Sequence, residues 1–297
     1  VAAKHRHQLP KKWSEEWGEI VSGASGGFLF GIPLLCTMEV WFIGSYAEPP
    51  ILLGIIAITF FIVFLINRVE GFRSQQDDKD PISKAIAESI ETLSIGFVCA
   101  TLIMIVLQEI NLQTPLDEAL GKVVFEAMPF SFGVALSRSI LDGDRYTNSN
   151  SNQPQSLGKG KKRIIWADTV ADLSGTILGA MFVAFSIAPT DEVAMLAAPA
   201  TPPWLLLIIF SSLLITYGIV FASGFTNQNK RRQQQGIFQR PESETLVYYL
   251  VSLFVSALML WFFQRLAFDD PWSLWMRYSI ILSLPASIGG AAGRLAV

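Results

Sequence analysis

Cysteine and histidine are close to absent, with two of each in the chain. Cys36 and Cys99 lie inside apolar runs and read as small core residues, so neither a disulfide framework nor a cysteine metal cluster is expected. His5 and His7 sit in a polar, solvated tail. No glycine-rich phosphate loop follows a strand pattern, and no nucleophile elbow occurs. Within the apolar runs there is no Ser–Lys pair and no His/Asp/Glu metal cluster. The chain is therefore not expected to be an enzyme or to carry a cofactor. Charged residues are scarce too, 16% against 51% hydrophobic, and they fall in clusters separated by long uncharged stretches. The net charge of −3 says little about partners, and nothing points to nucleic acid. The short polar–apolar alternation of a membrane β-barrel is also missing.

What is present is a series of apolar stretches long enough to cross a hydrocarbon layer of about 30 Å as helices. They run from about Ile20 to Phe42, Pro49 to Asn67, Thr92 to Ile110, and Asp117 to Ser137. A second set runs from Thr169 to Pro189, Pro202 to Ser223, Thr245 to Leu266, and Trp272 to Gly293. Trp17, Trp41, Trp166, Trp204, Trp272 and Trp275 mark ends of these stretches, as an interfacial aromatic belt does. The first apolar run is too long for a cleavable signal, and an opening Val1 in place of methionine reads as trimming.

Lysine and arginine set the orientation. The segment before the first span, the 2–3, 4–5 and 6–7 connections and Arg294 hold nineteen of them; only Lys122, Arg265 and Arg277 fall on the other side. The positive-inside rule then puts both termini in the cytoplasm of a bacterial inner membrane. The expected organisation is a cytoplasmic tail over 1–17, a four-helix unit over 18–141, a disordered cytoplasmic linker over 142–164, and a second four-helix unit over 165–297.

The two units resemble one another. At an offset of 153, Ala47-Glu48-Pro49-Pro50 meets Ala200-Thr201-Pro202-Pro203, and Thr37-Met38-Glu39-Val40 meets Thr190-Asp191-Glu192-Val193. The offset becomes 156 near the end of each unit, pairing Pro129 with Pro285, Gly133 with Gly289 and Arg138 with Arg294. Near the start it is 149, pairing Trp17, Ser25 and Gly26 with Trp166, Ser174 and Gly175. An even number of spans per unit implies parallel repeats about an axis along the membrane normal, so that a path on the axis would be lined in matched pairs. The expected fold class is all-α and polytopic, with eight transmembrane helices as two parallel four-helix repeats.

An ionisable side chain costs about 2.5–3.5 kcal/mol at a helix centre on insertion scales, so each one inside a span needs a reason. Glu126 lies near mid-membrane, three residues before Pro129, whose ring frees the carbonyl of Phe125. Its repeat partner is Leu282. Pro129 and Pro285 are expected to kink their helices. Asp168 and Asp172 share one helix face at the inner end of span five, opposite Glu19 in the first unit. Glu39 and Glu192 are matched acids at the outer ends of spans one and five. These six acids suit a cation path; capping, solvated interfacial acids and helix bracing are the competing structural roles. Glu91 with Arg138, and Glu244 with Arg294, are expected to brace the inner ends as ion pairs. The stripes Gly23, Ser25, Gly26, Gly27, Gly31 and Ser174, Gly175, Gly179 read as close helix packing.

The run Met128-Pro129-Phe130-Ser131-Phe132-Gly133, its echo Leu284-Pro285-Ala286-Ser287-Ile288-Gly289 and the low-complexity central segment resemble an uncharacterised family of bacterial integral membrane proteins known from cyanobacteria and proteobacteria. The resemblance implies a polytopic membrane fold over nearly the whole chain and carries no site residues with it. The residues themselves point to passive or gradient-driven movement of a small cation or proton, with the bilayer and an inorganic ion as partners and a homo-oligomer left open. The rivals are a non-transporting scaffold or sensor, and an anion channel using Arg138 and Arg294. Channel and carrier, the ion, and any resident metal are not distinguished by sequence.

Overall fold

The computed structural model describes residues 9–73, 81–147, 161–223 and 241–295, and these contain ten α-helices and no strand. In chain order they are α1 (Leu9–Leu35), α2 (Met38–Ser45), α3 (Pro49–Arg73), α4 (Pro81–Val106) and α5 (Leu116–Thr147), then α6 (Lys161–Ile187), α7 (Glu192–Ala197), α8 (Pro202–Tyr217), α9 (Pro241–Phe262) and α10 (Trp272–Leu295). Each half thus runs long, short, long, long, long. Helices are what the sequence must form in lipid, because they satisfy every backbone group within the segment. Pro49, Pro81, Pro202 and Pro241 open α3, α4, α8 and α9, where a missing N–H costs nothing.

Six helices are long and apolar enough to cross a membrane: Glu16–Leu35, Pro49–Arg68, Ile82–Val106, Leu116–Ser137, Pro202–Ala222 and Pro241–Phe262. The two remaining expected spans correspond to α6, whose described apolar part is the shorter Asp172–Ile187, and to α10, which is outside the six. The first expected span does not reach Phe42. It ends at Leu35, two residues after Pro33, and Thr37 turns into extended backbone before α2 starts. The segment expected as linker is helical at both its margins, since α5 runs on to Thr147 and α6 begins at Lys161; residues 148–160 lie outside the described residues, as do the basic residues Lys4, Arg6, Lys79, Lys159, Lys230, Arg231, Arg232 and Arg240.

In each half the last helix is the hub. Helices α1, α2, α3 and α4 all pack on α5, and α6, α7, α8 and α9 all pack on α10. The halves meet where α1 lies against α10 and against a π-helical turn, Gly218–Ala222, that continues α8, and where α4 touches α8. Trp204 Nε1 donates to the carbonyl of Val106 across this seam, 2.6 Å away.

Glycine pairs bring the backbones together at the hubs. A Cβ on Gly133 would overlap the Gly26 carbonyl, and one on Gly179 would overlap the carbonyl of Gly289. These contacts align Gly26 with Gly179, an offset of 153 and not 149. The difference is one helical turn, so both registers put small residues on the same face, and sequence matching alone does not separate them. Under the contact register Glu19 corresponds to Asp172. The ends of α4 and α9 also agree: Gln108 and Gln264 take φ of 63° and 58°. Behind them Glu109 N–H and Arg265 N–H close onto the carbonyls of Met104 and Leu260 at 3.0 and 2.8 Å.

Candidate functional site

Glu126 sits on the buried face of α5, about 15 Å from its first residue at 1.5 Å per residue. It is 0% exposed, and neither carboxylate oxygen has a hydrogen-bond partner. Its neighbours in the core are apolar, among them Ala127 and Phe130 on its own helix. Lys122, one turn away and itself buried, does not compensate it. The ammonium instead meets Glu118 at 2.8 Å and Glu109 at 3.6 Å, donates to the Glu109 carbonyl at 3.1 Å, and lies 5.3 Å from the Trp41 ring centroid. The helix of the third expected span ends at Val106 and not Ile110, so Glu109 lies beyond it; burial raises its carboxyl above the usual range, and the attraction of Lys122 works against that.

The second half contributes to the same neighbourhood. Glu192, the first residue of α7, is buried with one oxygen unpartnered. Cys36, at the break after α1, lies within electrostatic reach of both Glu126 and Glu192. Cys36 directly follows the end of α1 at Leu35, and Glu192 opens the short α7. The matched acid Glu39 does not join them; it is exposed on α2. Matched acids therefore do not line one axis in pairs at this level.

The inner acids divide differently from the expected vestibule. Glu19 is exposed in the first half of α1. Asp172 is half-buried and 3.6 Å from the Arg294 guanidinium, which also holds Glu244 in a closer ion pair. The guanidinium stacks over Tyr248, 4.1 Å from the ring centroid, and is within 5.6 Å of Phe221. Glu244 and Arg294 are thus in contact, with Asp172 as a third member. Glu91 is exposed on α4, and the side chains of Arg138 and Asp168 lie outside the described residues. Pro129 and Pro285 are both interior to their helices, which continue past them.

Sequence reasoning did not single out Cys36 as a neighbour of the acids, nor Glu109 and Glu118 as the partners of Lys122. The i, i+4 spacing of Glu118 and Lys122 was a legible signal for the latter. Nothing in the spacing pointed to Cys36, which is joined to Glu126 only through folding. Among the described residues, no three His, Cys, Asp or Glu side chains converge to hold a metal ion.

The family described as "Putative integral membrane protein (DUF2391)" matches residues 19–297. No curated protein and no solved structure matches the chain.

Proposed function

We propose, from the premise that this chain belongs to that family of integral membrane proteins, that it moves protons or a small cation across the bilayer with Glu126 as the central exchange group. One observation carries the reading: a carboxyl group wholly inside the bundle with neither oxygen partnered. A carboxylate in such surroundings needs a proton or a counter-cation, since an isolated buried charge is far too costly to keep. Packing does not demand an acid there, because the matching position of the second half holds Leu282, equally buried. Glu192 supplies a second inward acid nearer the outer surface. A lone acid among apolar side chains suits a carrier that alternates between loaded and empty states better than an open channel.

The topology belongs to the same reading: eight crossings as two parallel four-helix units, termini in the cytoplasm of a bacterial membrane. The matched left-handed glutamines, the matched glycine contacts and the common hub helices support it. The serines and glycines that keep α10 out of the apolar set are buried against protein, so they need not face lipid.

The test is ion flux into proteoliposomes at several pH values, for the parent, Glu126→Gln and Glu192→Gln. The proposal expects cation or proton flux in the parent and at least a tenfold loss in Glu126→Gln, about 1.4 kcal/mol in the barrier. Parent flux equal to that of empty liposomes would leave the scaffold reading, which the filled apolar packing of Ile32, Leu35, Phe130 and Leu282 favours. The anion reading is weakened by the engagement of Arg294 with two carboxylates.

A further inference from the structure

A buried carboxylate is neutralised either by a metal cation or by a proton, and the two need different surroundings. A hard cation stripped of its water takes about six oxygen ligands, whereas a proton needs a single oxygen. The helices around Glu126 decide between them through the oxygens they bring to its level.

The adjacent turns of α5 place Lys122, Val123, Pro129 and Phe130 beside Glu126, and none of these side chains carries an oxygen. Pro129 has no N–H for the carbonyl of Phe125, which leaves that carbonyl as one further oxygen in the turn. Helix α1 runs antiparallel to α5. A Cβ on Gly27 would lie 3.1 Å from Val134, and one on Gly31 would overlap the Phe130 ring. The end of α1 is therefore level with Glu126, and it buries Ile32, Leu35 and the following Cys36. Helix α4 is antiparallel as well, with Gly96 against Ser131 and the Glu109 carbonyl, beyond its end, accepting from Lys122. Between these contacts α4 buries Ala100, Ile103 and Met104. Thr101 is partly exposed and donates to the Phe97 carbonyl of its own helix, 2.8 Å away. On α3 the buried hydroxyl of Thr59 donates to Ile55 at 2.7 Å and makes no hydrogen bond to Glu126.

Charged and titratable groups on these elements are equally few. Lys122 is committed to Glu118 and Glu109. Helix α2 brings Gly44 onto Gly121 and keeps Glu39 exposed. Helix α3 has no charged residue between Pro49 and Asn67. Cys99 of α4 lies toward α1, where a Cβ on Gly27 would be 3.9 Å from its sulfur. Cys36 is within electrostatic reach of Glu126 and of Glu192 on α7. Among the described residues, however, these three do not converge on a point where a metal ion could sit.

We infer that the exchangeable occupant of Glu126 is a proton, to the exclusion of alkali and alkaline-earth cations. The inference rests on the transport reading and narrows its cargo from any small cation to the proton. One carboxyl and one carbonyl do not replace the water of a metal ion. The step itself is a proton moving onto a carboxylate oxygen and off again, with no other bond changed.

The experiment has two arms, both on the full chain. In detergent, infrared difference spectra follow the C=O stretch of a protonated carboxyl in the parent and in Glu126→Gln. Spectra are taken in choline chloride and after exchange into LiCl, NaCl, KCl, MgCl2 or CaCl2 at equal ionic strength and constant pH. A band missing from Glu126→Gln and unchanged by every metal salt is the expected result. If Glu126→Gln does not fold, Glu126→Asp takes its place, with the band shifted and not lost. In proteoliposomes, an internal pH dye reports proton entry driven by a potassium–valinomycin potential. Entry should be equal in external sodium and choline salts and fall at least tenfold in Glu126→Gln. A band that shrinks on addition of a metal ion overturns the inference, and so does the lack of any band assignable to Glu126. Metal-ion uptake without proton movement also overturns it while leaving transport standing. An unchanged band with no flux above empty liposomes keeps the proton on Glu126 and sinks the transport reading.

Discussion

Lys122 and Glu126 stand one turn apart on α5 and do not pair. The lysine turns to Glu118 near the start of α5 and to Glu109 in the loop before it, and the glutamate is left without a partner. If the acid were there for stability, removing it would weaken the protein. The opposite is expected: Glu126→Leu, which installs the residue found at 282, should stabilise by about 1–3 kcal/mol by removing an unsatisfied buried group. Flux should be lost at the same time. A lower unfolding midpoint for Glu126→Leu would mean that the carboxyl has a structural partner. Two further residues carry local costs. Gln108 and Gln264 hold left-handed backbone that disfavours a side chain by about 1–2 kcal/mol, so Gln264→Gly should raise the midpoint, as measured by thermal unfolding in detergent. Glu109 titrates with a raised pKa in the folded chain. The fold therefore binds that proton more tightly, and its contribution is complete below the ordinary carboxylate range and shrinks as pH rises through the raised value. Glu109→Gln should flatten that part of the stability–pH curve.

At the scale of the element, α10 is set apart by its burial. From Ser279 to Ala291 every residue is buried, and Ser279, Ser283, Ser287, Gly289 and Gly290 are spread through that run. A helix surrounded by protein gains from close approach, not from hydrocarbon exposed to lipid. Gly179 and Gly289 are in backbone contact, so Gly179→Ala should destabilise by about 1–3 kcal/mol through overpacking. Gly54 on α3 has open space around it, and Gly54→Ala should be neutral or stabilising by about 0.5–1 kcal/mol. Equal effects of the two substitutions on unfolding would refute the contact. Most of these helices were legible because uncharged length and proline starts are local signals. The break after Leu35 was not, since Cys36, Thr37 and Met38 continue the apolar run without a charge. The Arg294–Glu244 contact was legible from charges placed at matching helix ends. The third member, Asp172, was assigned to a path because its partner lies on another helix more than a hundred residues away. Burial of Glu126 was readable from its depth in α5; the proximity of Cys36 and Glu192 depends on how two helix breaks fold inward, which no spacing encodes.

At the scale of the molecule the two halves are built alike but joined unlike. The seam uses α1 and α4 of the first half against α8, its π-helical turn and α10 of the second. A strict twofold arrangement would repeat each of these contacts with the roles exchanged, giving α6 against the end of α3 as extensively as α1 meets the end of α8. Among the described residues the seam is not built that way, and the buried acid is one-sided as well, with Glu126 standing against Leu282. Parallel insertion of two even-numbered units remains the premise for placing Glu126 at mid-bilayer with Glu192 on its outer side. Labelling of single cysteines in a Cys36→Ala/Cys99→Ala background tests it directly. Leu112, fully exposed between α4 and α5, and Ala198, exposed after α7, lie on the outer side under this topology. Leu112→Cys and Ala198→Cys should react with an impermeant maleimide in intact cells, while Ser151→Cys and Gln234→Cys should react only after permeabilisation. Six crossings with α6 and α10 withheld from the bilayer would alter the sidedness of the second half, so that Ala198 and Gln234 could not both behave as expected. Protection of Ala198→Cys in intact cells would place α7 in the cytoplasm, and Glu192 would then be an inner acid, reversing the direction from which a cation approaches Glu126.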